Sequence, residues 1–165
     1  MILAFAHPGL VVPDLERACE FYRKMFGFRI ISDEGWENNP DVDRAVGLRG
    51  SVSRGHLLAG HNCHLEIWEY SSPAQTGPGP GAFTAQETGI RHLAFYVDDC
   101  PKEYARLLSL GGTSLGEPVG SEEQGYVVYC RDPFGNIIEL CEIPTPKESP
   151  AHLPGVSGLD DFTGE

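Results

Sequence analysis

FAHPGLVV, residues 5–12, and IRHLAFYV, residues 90–97, are one pattern written twice: an apolar, strand-like run with a histidine in third place, His7 and, 85 positions later, His92. Outward from these anchors, at the same offset, Val12 falls on Val97, Asp14 on Asp99 and Gly27 on Gly112. A strand, a helix start and a glycine stop therefore recur in register. The two halves also close alike. LEIWEYSSP (65–73) and IELCEIPTP (138–146) align Glu66 with Glu139, Glu69 with Glu142 and Pro73 with Pro146 at a constant offset of 73. Each half thus offers one histidine near its start and one glutamate near its end, four metal-ligating side chains in symmetric places.

Between the anchors each half reads βαβββ, which predicts an α+β fold. Pro13-Asp14 supplies a turn and a helix start, and Leu15, Ala18, Cys19, Tyr22 and Phe26 recur at steps of three and four up to a stop at Gly27. FRIISD is the next strand. Residues 36–50, rich in Asn, Asp, Pro and Gly, predict a long loop with a short helix around 42–46, followed by strands over 51–58 and 63–70 about an Ala-Gly-His-Asn turn. The second half predicts a strand over 90–97, a helix over 101–110, a short strand at 113–115, and a hairpin of 125–131 with 136–143 turning at Asp132-Pro133-Phe134-Gly135. We read one domain over 1–146, with modules at about 3–70 and 90–143, a Pro- and Gly-rich linker at 71–89 and an irregular acidic tail at 147–165. From His7 to Glu66 is 59 residues and from His92 to Glu139 only 47, so the first half carries twelve more, most of them within 36–60. An insertion there predicts a substrate-covering loop.

Twelve basic against twenty-four acidic side chains give a formal charge of −12, which disfavours nucleic acid and anionic membranes as partners. A small anionic substrate stays compatible, because a bound cation and pocket arginines invert the field locally. With no apolar run of membrane-spanning length and no signal-peptide pattern, the expectation is a cytoplasmic protein. Five cysteines, odd in number and without a CxxC pair, read as reduced and mostly buried thiols.

Alternate side chains of a strand share a face, so His7 points with Gly9 and Val11, His92 with Ala94 and Tyr96, Glu66 with His64, Trp68 and Tyr70, and Glu139 with Cys141. A glutamate among apolar inward-facing neighbours costs several kcal/mol if ionised and unpaired, and a divalent cation removes that cost. Two imidazoles and two carboxylates suit Ni, Co, Mn, Fe or Zn and leave positions open for substrate oxygens. His64 competes with Glu66 as a ligand. Glu69 and Glu142 face the other way and read as solvated outer-face charges.

The paired βαβββ units, the His…Glu…His…Glu order, and the turn Asp132-Pro133-Phe134-Gly135-Asn136 leading into Ile138-Glu139-Leu140 resemble the vicinal oxygen chelate superfamily of glyoxalases, epimerases, extradiol dioxygenases and fosfomycin- or bleomycin-resistance proteins. The resemblance covers about residues 3–146. It implies two modules curling into an open half-barrel sheet around one divalent metal held by His7, Glu66, His92 and Glu139, and a homodimer. It also implies proton transfer on a small organic substrate bound through vicinal oxygens, by an isomerase, epimerase or lyase, with Glu139 as base. The epimerase branch takes a second glutamate from the strand that here reads SVSRGHLL. None occurs there, and His56 is the available second base, with Arg54 beside it. Arg54, Trp68, Tyr126 and Trp36 are expected to line the substrate cavity. An iron-dependent ring-cleaving dioxygenase and a non-catalytic drug-binding protein are the alternatives.

Overall fold

Pro8 decides where the first strand begins. Lacking an N–H, it only accepts, from the Glu66 amide at 3.1 Å, and the paired ladder starts one residue later. In the computed structural model, which describes residues 5–77, 79 and 81–143, the chain divides into two compact units, residues 1–77 and 78–165. The expected acidic tail lies outside the described residues.

The first unit runs β1 (Gly9–Val11), α1 (Leu15–Phe26), β2 (Arg29–Trp36), α2 (Pro40–Val46), β3 (Val52–Ala59) and β4 (His64–Ser72). Its sheet has the order β1-β4-β3-β2, with β1 parallel to β4 and the other pairs antiparallel. The second runs β5 (His92–Val97), α3 (Cys100–Ser109), β6 (Thr113–Ser114), β7 (Val119–Ser121), β8 (Gly125–Arg131) and β9 (Ile137–Glu142). Its sheet has the order β5-β9-β8-β6, with β7 also on β8 and β5 parallel to β9. Both are open mixed sheets, and the repeat holds to the residue: Gly9 pairs with Glu66 and Val11 with Trp68, as Ala94 pairs with Glu139 and Tyr96 with Cys141.

Each sheet packs one face on its helix. Leu15, Ala18, Cys19, Tyr22 and Met25 of α1 are buried, as are Leu58, Leu65 and Ile67 of the strands. In the second unit the buried set is Cys100 and Leu107 of α3 with Val128, Cys130, Ile138 and Leu140. Full burial of one such aliphatic or aromatic side chain is worth about 1.5–3 kcal/mol. Cys19, Cys100 and Cys130 are buried free thiols whose pKa burial pushes up to about 11, 11 and 12, whereas Cys63 is exposed. No helix among the described residues is long and apolar enough to cross a membrane.

The helix starts overturn one expectation. Asp14 and Asp99 cap α1 and α3 by accepting from the amides of Arg17 and Lys102. Glu69 and Glu142 add a second cap, each taking the first helical amide, Leu15 N and Cys100 N, at 2.8 Å. They are not solvated outer-face charges. The face opposite Glu66 and Glu139 is the helix face, where a carboxylate meets the positive end of the helix dipole.

The inserted stretch is also more ordered than a loop. Strand β2 extends to Trp36, and Asn39 caps α2 with Pro40 in its first turn. Asp43 then closes the segment by accepting from Gly50 N at 2.6 Å, Ser51 N at 2.9 Å and the Ser51 hydroxyl, and these hydrogen bonds hold its carboxyl below the usual range.

Candidate functional site

In the first unit the face of the sheet away from α1 carries Glu66. Its Oε2 accepts from Trp68 Nε1 at 2.6 Å and lies 3.4 Å from His7 Nε2. His7 precedes β1, but the Pro8 carbonyl bond to the Glu66 amide brings it there. The Trp68 indole crosses β3 at Gly55, where a Cβ would sit 2.5 Å from the ring, so only glycine admits it. Trp36 stacks edge-on against Trp68, with centroids 4.8 Å apart, and against Tyr70 at 5.7 Å. Its own Nε1 donates to the Ser51 hydroxyl at 2.7 Å, so Asp43, Ser51 and Trp36 form a chain that fixes this aromatic wall. Burial, and then the Glu66 charge, raise the pKa of Tyr70.

The second unit places Glu139 in the same register with different neighbours. His92 Nε2 lies 3.0 Å from Oε2, and the Cys141 thiol donates to Oε1 at 3.1 Å. Tyr129 stands directly across from Glu139 on β8, hydrogen-bonds it, and packs edge-on against His92 with centroids 5.2 Å apart. Burial, followed by Glu139, raises the Tyr129 pKa, and the same causes push that of Cys141 up to about 12.

Three of the expected site residues lie behind the sheets. Across β3 and β4, Leu57 opposes Glu66 and Gly55 opposes Trp68, so Arg54 and His56 point to the helix side. Arg54 forks onto Glu16 of α1 and reaches Glu69 at 2.8 Å, while His56 Nδ1 lies 2.9 Å from Asp33. The four-residue turn 60–63 forces this, because it pairs even-numbered with odd-numbered positions. Tyr126 fails for a related reason. A four-residue Asp-Pro-Phe-Gly turn would set it on the Glu139 face, but the turn has five residues, 132–136, since Arg131 pairs with Ile137. Asp132 stabilises the longer form, its carboxylate accepting from the Phe134 amide and from the Asn136 amide and side chain. The extra residue turns Tyr126 away and brings in Tyr129, which strand parity alone missed. His64 is exposed at the start of β4, and the imidazole beside Glu66 is that of His7.

Donors about 2.1 Å from one ion stand about 3.0 Å apart at an octahedral angle and about 3.4 Å apart at a tetrahedral one. The separations of 3.0 Å and 3.4 Å match ligands on a shared ion as well as they match ion pairs. Among the described residues no group of three or more His, Cys, Asp or Glu side chains gathers that could hold a metal ion.

The family described as Glyoxalase/Bleomycin resistance protein/Dioxygenase superfamily matches residues 4–140. A 2-epi-5-epi-valiolone epimerase from an Actinomyces species is 30% identical over 155 residues, covering 86% of this chain and 80% of that protein. Among solved structures, a glyoxalase family protein from Bacillus cereus superposes with TM-score 0.77 at 21% identity, over 86% of this chain and 95% of the other. A mutant of the fosfomycin resistance protein FosX from Listeria monocytogenes, complexed with Mn(II) and 1S,2S-dihydroxypropylphosphonic acid, gives TM-score 0.51 at 23% identity, over 86% of this chain and 93% of the other.

Proposed function

The chain belongs to the glyoxalase/bleomycin resistance protein/dioxygenase superfamily, and we propose that it is a metal-dependent enzyme of the epimerase type acting on a small oxygenated ketone. The observation that carries this reading is the repeated His–Glu pair, His7 with Glu66 and His92 with Glu139, at one register position of two sheets. The epimerase relative and the Mn(II)-bound FosX support it. The proposed ligands of a divalent Ni, Co, Mn, Fe or Zn ion are His7, Glu66, His92 and Glu139, in a protein acting as a homodimer. Such an ion supplies Lewis acidity to negative charge developing on a substrate oxygen.

The remaining work falls to the chain's own groups. Inversion at a carbon beside a carbonyl needs a proton removed from one side and another delivered to the opposite side. Glu139 takes the first role in our reading, with Cys141 and Tyr129 orienting its carboxylate. His56, behind the sheet, does not take the second. Glu66 is the carboxylate left on a site face, and Trp68 fixes its Oε2. The aromatic wall of Trp36, Trp68 and Tyr70 excludes water beside it.

The test is solvent-deuterium exchange into 2-epi-5-epi-valiolone with metal-loaded protein, followed by mass spectrometry. Exchange at one carbon, lost in Glu139→Gln at equal metal content, is the expected result. Metal-loaded protein that exchanges nothing into this ketone, or a Gln variant that exchanges at the full rate, would defeat the reading.

A further inference from the structure

Behind the first sheet, on the side opposite Glu66, a cavity of about 500 Å³ opens beside α1. Glu16, Cys19, Glu20, Arg23 and Lys24 form its helical wall, Phe28, Arg29 and Ile30 its second wall, and His56 reaches it from β3. That volume lies in the range of small-molecule sites. Most of its charges are already paired. Arg54 holds Glu16 with both terminal nitrogens, Lys24 holds Glu20 at 2.6 Å, and Asp33 faces His56 at 2.9 Å. Two guanidiniums remain. Neither Arg23 nor Arg29 makes an ion pair or side-chain hydrogen bond among the described residues, yet both line this same cavity. The side chains lining this concave surface carry three positive charges, Arg23, Lys24 and Arg29, against two negative, Glu16 and Glu20, in a chain carrying −12 overall.

We propose that this cavity is a second binding site, for a small organic dianion such as a phosphate monoester or a dicarboxylate. Arg23 and Arg29 take its charged end, since a planar guanidinium matches the oxygens of phosphate or carboxylate two at a time. Phe28, Ile30 and the buried Cys19 offer an apolar surface to its carbon portion. Because His56 and Glu66 lie on opposite faces of the sheet, the site is separate from the proposed metal ligands of this unit.

Inorganic phosphate is the probe, titrated by isothermal calorimetry into full-length protein stripped with EDTA, so that no metal can hold the anion. Saturable binding is expected, weakened tenfold or more in Arg23→Gln/Arg29→Gln, unchanged in Glu66→Gln and little changed in Lys24→Gln. Circular dichroism and thermal melting verify that the double variant is folded. No saturable binding to the stripped protein, equal binding by the folded double variant, or binding lost in Glu66→Gln would each overturn the proposal. The first and second outcomes leave the epimerase reading intact, and deuterium exchange by the double variant keeps the two apart.

Discussion

Glu66 and Glu139 occupy one position in two copies of a module, yet their hydrogen-bond donors differ in kind. The donor on Glu66 is an indole N–H, which has no accessible pKa, is rigid, and is backed by Trp36 and Tyr70. Glu139 is met by a thiol and a phenol, both able to exchange protons and both raised in pKa by burial and by the carboxylate itself. The parallel pairing is the same in both copies, so the difference lies in the side chains around it: two residues along the glutamate's own strand stands Trp68 in the first unit and Cys141 in the second, and directly across from the glutamate stands Leu57 in the first and Tyr129 in the second. The two carboxylates stand at one register position, with an aromatic wall beside the first and protic donors beside the second.

The strongest way to break this comparison is to neutralise the carboxylates one at a time. Glu139→Gln should lower deuterium exchange by about 10³-fold or more, in keeping with the loss of a general base. Glu66→Gln should retain wash-in of deuterium but lose inversion, with metal content measured on both. Identical profiles would mean that the two copies share one role.

Next in size is Gly55→Ala, whose Cβ would strike the Trp68 ring at 2.5 Å and the Ile67 carbonyl at 2.7 Å. Overpacking of this kind costs about 1–3 kcal/mol, read as a fall in melting temperature of several degrees. Val127→Ala, at the matching register position across from Cys141, should cost less.

Much of this was legible in the sequence, and the reasons for the rest are specific. The repeat offset placed His7, Glu66, His92 and Glu139, and parallel pairing of Gly9 with Glu66 and Ala94 with Glu139 bears out that alignment. Helix α1 was legible from its apolar spacing and its Asp14 and Gly27 ends. Parity within one strand, however, does not say which face of its neighbour it shares. That depends on whether the connecting turn has an even or odd number of residues. The even turn at 60–63 sends Arg54 and His56 to the helix side, and the single added residue at Asn136 exchanges Tyr126 for Tyr129. The cap formed by Glu69 was equally invisible, because it depends on a helix start 54 residues earlier in the chain.

Smaller effects sharpen the contrast in donors. Trp68→Phe keeps the ring but removes a hydrogen bond to a charged group, worth about 1.5–3 kcal/mol when well shielded. A fall in kcat/KM of about tenfold is expected. Cys141→Ala removes only a weak S–H donor and should change kcat/KM by about threefold or less, Tyr129 remaining on Glu139. Equal losses would show that donor strength is not what separates the copies. Smallest, Glu142→Gln should destabilise by about 0.3–1 kcal/mol in urea unfolding, and Glu69→Gln by more, because Glu69 also holds Arg54 at 2.8 Å. Equal values would mean that the Arg54 contact adds nothing to the first helix start.

The three-residue spacing between the glutamates of each pair has one more consequence, for folding fidelity. An odd spacing commits Glu66 and Glu69, or Glu139 and Glu142, to opposite faces of the sheet. If β4 or β9 slipped by one residue, the two carboxylates would change sides together, stripping the helix of its cap as Glu66 or Glu139 left the opposite face. A slip of two would keep the faces but carry each carboxylate about 7 Å along the strand, beyond reach of Leu15 N or Cys100 N. A misaligned strand is therefore penalised at a helix distant in sequence, and each module proofreads the position of Glu66 or Glu139 by whether its helix can start.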